Sequence, residues 1–463
     1  MPTQDEYNVA KQRQRKLYTK IDLLNFNLQK VDEIGGVVVS DSFTNDATSD
    51  IRRTCALTLV VKDSSFNIQA GSKIWLDKYV QIYIGIENIR NGEIIYTNMG
   101  VYMINNPSTV YSATENTMTI QGVDLMAKMT GLRNGNLEGV TYTIPQESDI
   151  RGSIIAIVEE SGFTKYVVES VSQTVPYDIS VDAGTTRYEL LSELCDIVAN
   201  YQMYFDVDGV FHYEKIPSGQ NEQVIVDDDI FEGLYINHTV NTSFEDVKNV
   251  IEVLGKTHDI SHYGGTATVS GSEYDITVSS ITTLHTNVVI GFNSPSQLTN
   301  PTLKVNSLTA YPIKNEDGTY AELTVTGGYY VVKFCDTYFK FLGQVQPYAK
   351  LEETNPDSPF YVDGTVGRIR IVLSGGEYDN IYTDDLAMQR AEWELYTRCR
   401  LQDNLVITCV PIYWLDVNWL VEFTLPTETI AKQYLIKNIT TDGSISGTQS
   451  ITLMSYYPYY PSI

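Results

Sequence analysis

Residues 383–423 read TDDLAMQRAEWELYTRCRLQDNLVITCVPIYWLDVNWLVEF, a helical pattern that runs directly into alternating strand patterns. Asp384 and Asp385 favour the positive end of a helix, and the apolar residues Met388, Ala391, Leu395 and Cys399 then recur at spacings of three and four. The strand patterns that follow, NLVITCV, NWLVEF, QYLIKNIT and QSITLMSY, are too few for a generous core. We therefore expect this terminal unit either to complete a barrel with the helix laid against it or to dock on another part of the chain.

Length, composition and net charge limit the classes of protein to which the chain can belong. A chain of 463 residues exceeds what one hydrophobic core usually supports, so we expect three or four folded units. The 43% of hydrophobic residues and the 33 tyrosines indicate a β-rich folded protein. The net charge of −26 opposes binding to nucleic acid or to anionic lipid, because phosphate binding requires clustered cations.

Cysteine usage and the N-terminus point to a cytosolic folding environment. The five cysteines are an odd number, lie far apart and form no CxxC pair, so they predict buried free thiols instead of a disulfide framework or a zinc ribbon. The first 20 residues contain no apolar signal segment, and the longest aliphatic run, IIAIV at 154–158, is too short to span a membrane. We expect no membrane binding by this chain itself.

The order of local patterns predicts a mainly β fold with an α+β insertion. Residues 1–135 form an N-terminal β-module, 136–240 an α+β domain, 241–380 a β-rich domain, and 381–463 a helix with strands that complete a barrel. Within the α+β part, DIRGSIIAIVEESGF (149–163) has a helical apolar face. Thr186 and Glu189 have the spacing of a capping box that starts a second helix, and Asp208-Gly209 marks a hairpin turn.

No motif indicates catalysis, a cofactor or a metal. His258 and His262 have ligand-like spacing only if helical, and the Gly, Ser and Asp around them favour an exposed loop. The acidic string 226–233 lacks the spacing of a calcium loop, and the adjacent Glu159 and Glu160 point in different directions on one helix. Patterns for a nucleophile elbow, a phosphate-binding loop or a dinucleotide fold are missing. We therefore expect no catalytic, cofactor-binding or metal-binding residue.

Two sets of residues are candidates for an interface. The basic arm carries Lys11, Arg13, Arg15 and Lys16 in an otherwise acidic chain and suits an acidic neighbour, although a solvated helix face is equally compatible with it. Trp393, Trp414 and Trp419 suit packing or subunit contact, with ordinary core burial as the alternative.

Four blocks of sequence together resemble one known family. They are MGVYMINNPSTVYSATENTMTIQGVDLMAKMTG (99–131), the helix SIIAIVEESGF with TTRYELLSELCDIVANYQMYFDVDGVFHY (185–213), the stretch 355–400, and VPIYWLDVNWLVEFTLPTETIAKQYLIKNITTDGSISGTQSITLM (410–454). In this order they are similar to the tail or baseplate hub proteins of tailed bacteriophages and related contractile particles. Each block alone is degenerate, and their combination carries the resemblance.

The resemblance implies a structural role without an enzymatic one. Such hubs are homotrimers in which each subunit contributes two β-barrels similar to tail-tube subunits, so that three chains match a hexameric tube to a threefold tip. The implied partners are a tail-tube or distal tail protein, a tail spike, fibre or tip protein, and a tape-measure protein, with DNA passing transiently and without sequence preference. The implied location is the virion tail tip, assembled in the host cytoplasm, with wall digestion and host binding left to partners.

Two other classes of protein stay open at this point. Abundant Tyr and the Ser-, Thr- and Gly-rich segment 261–310 also suit a surface adhesin or carbohydrate-binding β-protein. A hydrolase of unknown fold would rest only on pairs of acidic residues. Binding to cell-wall carbohydrate or clearing of a peptidoglycan gel would distinguish these classes from a hub.

Overall fold

The computed structural model describes residues 2–34, 38–61, 66–114, 116–139, 141–219, 221–323, 327–444 and 446–457, with only the backbone described at 402 and 403. Strands hold 40% of the residues, which confirms the predicted mainly β fold. The α-helices are α1 (Gln4–Ala10), α2 (Ile150–Glu160), α3 (Arg187–Asp196) and α4 (Asp384–Arg398). In the described part of the chain, none of the helices is both long and apolar enough to cross a membrane.

The strands follow one another along the whole chain. They are β1 (Leu17–Leu24), β2 (Lys30–Glu33), β3 (Val38–Asp46), β4 (Arg53–Val60), β5 (Tyr79–Glu87), β6 (Ile94–Tyr111), β7 (Asn116–Val123), β8 (Tyr142–Ile144), β9 (Tyr166–Val168), β10 (Ile179–Val181), β11 (Tyr201–Phe205), β12 (Phe211–Lys215), β13 (Tyr235–Ser243), β14 (Val250–Leu254), β15 (His262–Thr266), β16 (Thr268–Ser270), β17 (Glu273–Ile276), β18 (Val289–Asn293), β19 (Thr302–Val305), β20 (Tyr311–Lys314), β21 (Tyr329–Phe334), β22 (Phe339–Gln344), β23 (Tyr348–Glu352), β24 (Arg370–Leu373), β25 (Gln402–Cys409), β26 (Leu420–Phe423), β27 (Lys432–Asp442) and β28 (Gln449–Ser455).

One twelve-stranded sheet runs through both ends of the chain. Its order is β13-β25-β28-β27-β3-β4-β7-β6-β5-β1-β2, and β26 pairs with β27 beside this path. The N-terminal β-module (β1–β7) and the C-terminal β-module (β13 and β25–β28) each have a separate hydrophobic core. The alternation of β4 shows the cause, since Cys55, Leu57 and Leu59 point into the N-terminal core while the residues between them are only partly buried. The two β-modules are therefore joined edge to edge.

The α+β part of the chain packs two helices over two small sheets. Asp149 caps α2 by accepting a hydrogen bond from the Gly152 backbone N–H, as its position in the sequence suggests. The predicted capping box of Thr186 and Glu189 starts α3. The sheets are β10-β8 and β11-β12-β9, and β11 and β12 form the predicted hairpin at Asp208-Gly209. Gly209 has a φ of +72°, which glycine adopts without strain.

An eight-stranded sheet occupies residues 262–344. Its order is β15-β18-β21-β22-β20-β19-β17-β16. The two end strands β15 and β16 are separated by one residue, Ala267, so the sheet curls round until its two edges meet in a nearly closed barrel. Fully buried side chains such as Tyr274, Phe292 and Phe339 fill its interior.

The helix α4 packs on a three-stranded sheet outside the terminal strands. That sheet has the order β23-β14-β24, and Ala387 and Ala391 of α4 are fully buried against Ile251, Val253 and Ala349. Two arrangements were expected for the terminal unit, and in the structure its helix α4 docks on another part of the chain. The small alanine side chains allow the helix to approach the sheet closely. We call this three-stranded sheet with α4 the α4 unit. The predicted division of the chain into domains at residues 135, 240 and 380 stays a prediction.

Candidate assembly interface

The two β-modules meet where β27 pairs with β3. The antiparallel register runs from Asn438 opposite Asp46 to Asp442 opposite Ser42. Just beyond the pairing, the Gly443 backbone N–H donates to the Asp41 carbonyl at 3.0 Å. A Cβ atom at position 443 would lie 1.3 Å from Asp41 Oδ1, so any other residue here would require the Asp41 carboxylate to move.

A buried ion pair reinforces this joint between the modules. Arg53, whose side chain is 4% exposed, donates from Nη2 to Asp416 Oδ2 at 2.5 Å. Asp416 also accepts a hydrogen bond from Asn45 Nδ2 at 2.6 Å. Burial works to lower the pKa of Arg53, but the groups around it, Asp416 foremost, together outweigh burial and the net shift is upward. Arg53 therefore stays charged, and its pair with Asp416 joins β4 of one module to the loop before β26 of the other.

Two more cations lie in the same joint and connect it to the α+β part. Arg52 donates from Nη2 to Gln202 Oε1 at 2.7 Å and lies over the ring of Tyr204 at 3.8 Å. Burial and the neighbouring Arg53 lower the pKa of Arg52 to about 10. Lys437 donates to Asn418 Oδ1 at 2.9 Å, and burial together with Arg52 and Arg400 lowers its pKa to about 8.

A cavity of about 200 Å³ lies between the modules beside this ion pair. Its wall includes Arg53, Asp416 and Tyr102, so its lining is partly charged. A space of this size and polarity suits ordered water, of which each molecule takes roughly 30 Å³. Asn45 Oδ1, Tyr413 Oη and Trp414 Nε1 of the cavity wall are buried without a hydrogen-bond partner among the described residues, so water in the cavity would have polar groups to bind.

The basic arm contacts the same chain instead of presenting a row of free cations. Lys11 Nζ forms an ion pair with Asp229 at 3.0 Å, and the side chain of Arg13 lies beside Gly233. Arg15 donates to the carbonyl of Pro411 and is mostly buried, and burial lowers its pKa. Lys16 pairs with Glu87 at 2.9 Å. Lys11 and Lys16 thus pair with acidic side chains of the same chain, and the role of the arm in contact with another subunit stays a prediction.

The tryptophans occupy different environments. Trp414 is 9% exposed and stacks on Tyr7 of α1, with ring centres 6.1 Å apart. Trp419 is half-buried 6.5 Å from Trp414. Trp393 is half-buried against Tyr396 on α4, with a separation of 5.2 Å. Trp414 and Trp419 therefore pack in the C-terminal β-module, where sequence analysis left core burial and subunit contact open.

The two ends of the twelve-stranded sheet differ in charge. At one end the short strand β2 is fully exposed and carries Lys30, Asp32 and Glu33, and charges of this kind discourage edge pairing. At the other end β13 (YINHTVNTS) is nine residues long and contains no Asp, Glu, Lys or Arg. It has one strand neighbour among the described residues, and its apolar side chains Ile236 and Val240 are 48% and 45% exposed. An edge that is long, uncharged and partly apolar is suited to pairing with another strand.

Two sites considered from the sequence look different in the structure. His258 was expected in an exposed loop and is instead 3% exposed, with its ring against Tyr382 at 4.2 Å and its Nε2 3.0 Å from the Leu342 carbonyl. Burial lowers its pKa to about 4, so it is neutral at pH 7. Of the five thiols, all are free, but only Cys55 and Cys409 are fully buried. Within the described ranges, no three His, Cys, Asp or Glu side chains are grouped so that they could hold a metal ion.

The residues of the joint were missed by sequence analysis. Arg52, Arg53, Asp416 and Asn418 belong to no motif, and their pairing joins positions that are far apart in the chain. Only the occurrence of two arginines next to a strand pattern could have drawn attention to them.

Comparison with known proteins supports the fold along its length. Residues 357–460 match a family described as a domain of unknown function, DUF5048. No curated protein matches the chain. The structure is similar to the 43 kDa tail protein of prophage MuSo2 from Shewanella oneidensis, with 12% identity, a TM-score of 0.53, and coverage of 95% of this chain and 98% of that one. It is also similar to the tail protein from Neisseria meningitidis MC58, with 9% identity, a TM-score of 0.50, and coverage of 94% and 96%. The predicted resemblance to phage tail and baseplate proteins is thus confirmed at the level of the fold.

Proposed function

We propose that this chain is a structural hub of the tail or baseplate of a tailed phage or phage-like particle. Three copies form a ring that adapts a hexameric tail tube to a threefold tip and lets DNA pass through its centre. The observation that carries this proposal is the twelve-stranded sheet, which joins two β-modules in each chain. Three chains then supply six modules, so a threefold ring presents six similar units to the tube.

The edge strand β13 supports the closure of such a ring. Successive copies in a cyclic assembly contact one another through two different surfaces, one from each side of the subunit. The uncharged edge of β13 suits one side of that contact, because main-chain hydrogen bonds across a strand edge need no charged partner. Pairing would also bury Ile236 and Val240, which are about half exposed in the single chain.

The charge of the chain is compatible with the passage of DNA. A net charge of −26 gives a surface that repels phosphate groups unless cations are clustered. Several of the cations of the chain are held in the joint or in ion pairs, as Arg53 and Lys11 show. This role calls for binding surfaces for a tube or distal tail protein, a tape-measure protein and a spike, fibre or tip protein, and it calls for no catalytic site.

Counting the chains in the assembly tests whether the protein forms a threefold ring. Substitutions on β13 test whether this strand edge forms the contact between subunits. We expect mass photometry of the purified protein, alone or mixed with its tube and tip partners, to show trimers. Charges placed on β13 by Ile236→Lys together with Val240→Lys should abolish the trimer and leave the monomer folded, because lysines on an exposed strand edge oppose its pairing with another strand.

The matched control is Ile89→Lys. This side chain is 66% exposed in a turn away from β13, so the trimer should persist in this variant. Monomers alone under all conditions, including both partners, would contradict the proposal. A trimer that survives both lysines on β13 would leave the ring standing and remove β13 from its contact.

A further inference from the structure

The α4 unit carries an apolar groove that leads to the end of the described chain. The groove has a volume of about 940 Å³. We define it by Phe244, Phe360, Leu395, Tyr396, Arg400 and Tyr457, which line it. It is therefore bounded by α4, by the loop before β24, and by segments adjacent to the C-terminal β-module.

Two features of the groove leave contacts unmade among the described residues. Phe244 is 75% exposed, which is costly for a side chain of this size. Arg400 is 8% exposed, and its Nη1 has no hydrogen-bond partner in the described part of the chain. A buried guanidinium nitrogen without an acceptor is unfavourable, because nothing replaces the hydrogen bond to water that burial removed. The groove thus offers an aromatic surface and a buried donor to the same occupant.

The chain enters this groove at Tyr457. The Tyr396 hydroxyl donates to the Tyr457 carbonyl. Arg400 lies over the Tyr396 ring at 4.6 Å and near the Tyr457 ring at 5.5 Å. Tyr456, one residue earlier, packs instead with Leu420 and Leu435 of the C-terminal β-module. The polypeptide therefore crosses from one part of the molecule to the other within two residues.

We propose that residues 458–463, with the sequence PYYPSI, dock in this groove of their own chain. The segment has no charged side chain, so its docking would bury no charge. Prolines at 458 and 461 favour an extended polyproline conformation, and segments of this kind bind grooves lined by aromatic side chains. Six such residues span about 19 Å at roughly 3.1 Å each. Backbone carbonyls of the segment would supply the acceptor that Arg400 Nη1 lacks.

Docking of this segment would fasten the α4 unit to the C-terminal β-module. The strand β28 ends at Ser455, so any force that separates the two parts would have to pull the segment out of the groove. Because the segment is tethered at Tyr457, its effective concentration near the groove is on the order of millimolar, and a weak interaction suffices. This inference does not depend on the proposed function, since it concerns contacts within one chain.

Photo-cross-linking of the full-length chain tests this proposal. The probe is Tyr459→p-benzoylphenylalanine, and mass spectrometry locates the cross-links on a mixture of isotopically light and heavy copies. We expect cross-links within one copy to residues of the groove. Phe244→Ala should lower their yield about tenfold, since it removes one buried aromatic contact. Phe244 is exposed in the described chain, so this variant should still fold.

The matched control is Phe26→Ala, a 59% exposed phenylalanine in the N-terminal β-module, which should leave the yield unchanged. Cross-links to surfaces other than the groove, or none to the groove, would overturn the proposal. Cross-links that join light and heavy copies would overturn it as well and would assign the groove to a second copy. A yield that Phe244→Ala does not change would exclude the groove as the docking site.

Discussion

At the scale of single residues, the joint between the modules depends on the ion pair of Arg53 and Asp416. Removing one partner of a buried pair leaves the other charge without compensation, which typically costs about 3–5 kcal/mol. In this chain Arg53 is the more deeply buried partner, with 4% exposure against 19% for Asp416. The loss of Asp416 should therefore be the more damaging change.

We predict that Asp416→Asn lowers the stability of the joint by about 3 kcal/mol, measured as a shift of the urea unfolding transition. The control is Glu428→Gln, which breaks the more exposed pair with Lys432 at 2.6 Å and should shift the transition little. Equal shifts for the two variants would show that the joint does not depend on this pair.

The environment of His212 predicts that the stability of the folded chain depends on pH. Its Nε2 lies 3.1 Å from Asp206 and its Nδ1 lies 3.4 Å from Glu214. Burial opposes its protonation, but the interactions with Asp206 and Glu214 outweigh burial and raise its pKa from 6.5 to about 9. Because the folded pKa is the higher one, the stabilisation is complete below pH 6.5 and is lost as the pH rises through 9.

Thermal melts at pH 6 and pH 9.5 measure this contribution. We expect wild type to lose about 1–2 kcal/mol more than His212→Gln over this interval, a value that allows for solvent screening of a half-buried group. Identical pH profiles for the two proteins would show that His212 has an ordinary pKa in the folded chain.

At the scale of elements, the close approach of α4 to its sheet depends on alanine. Ala391 is fully buried where the helix meets the three-stranded sheet, and Met388 on another face is 40% exposed. We predict that Ala391→Leu destabilises the α4 unit by about 1–3 kcal/mol through overpacking. Hydrogen exchange of β14 should speed up in this variant and stay unchanged in Met388→Leu. Unchanged exchange in both variants would mean that the helix can move away from the sheet at little cost.

Elements with local signals were predictable from the sequence. The capping box of Thr186 and Glu189 and the turn at Asp208-Gly209 fix their own backbone through nearby residues, so α3 and the β11–β12 hairpin were expected where they occur. Pairings between distant strands had no such signal. The pairing of β27 with β3 joins opposite ends of the chain. Alternation of apolar residues predicts that a strand has one buried face, but it does not predict which strand lies beside it.

The same limit explains the error about the environment of His258. The sequence around His258 is rich in turn-forming residues, which predicted exposure, but the Tyr382 ring from a distant segment covers the imidazole. Likewise, α4 has an apolar face that indicates packing, and the choice of its partner depended on tertiary contacts with β14 and β23. Local sequence patterns therefore predicted individual helices and strands, whereas the ion pair of Arg53 and Asp416 could be identified only in the structure.

At the scale of the whole molecule, two β-modules in one continuous sheet are the feature that the proposed hub requires. A threefold assembly can present six similar units only if each subunit contains two, held in a fixed relation. The pairing of β27 with β3 and the buried joint beside it provide such a relation within this chain. The same sheet leaves β13 as an uncharged edge strand among the described residues, where the proposed ring would place its contact.

The most direct test of the proposed hub is electron microscopy of single particles of the purified protein, with no symmetry imposed. The account predicts a threefold ring built of six β-modules, with β13 at each boundary between subunits and an open centre wide enough for a DNA duplex. Particles that are only compact monomers, even after the tube and tip partners are added, would contradict it.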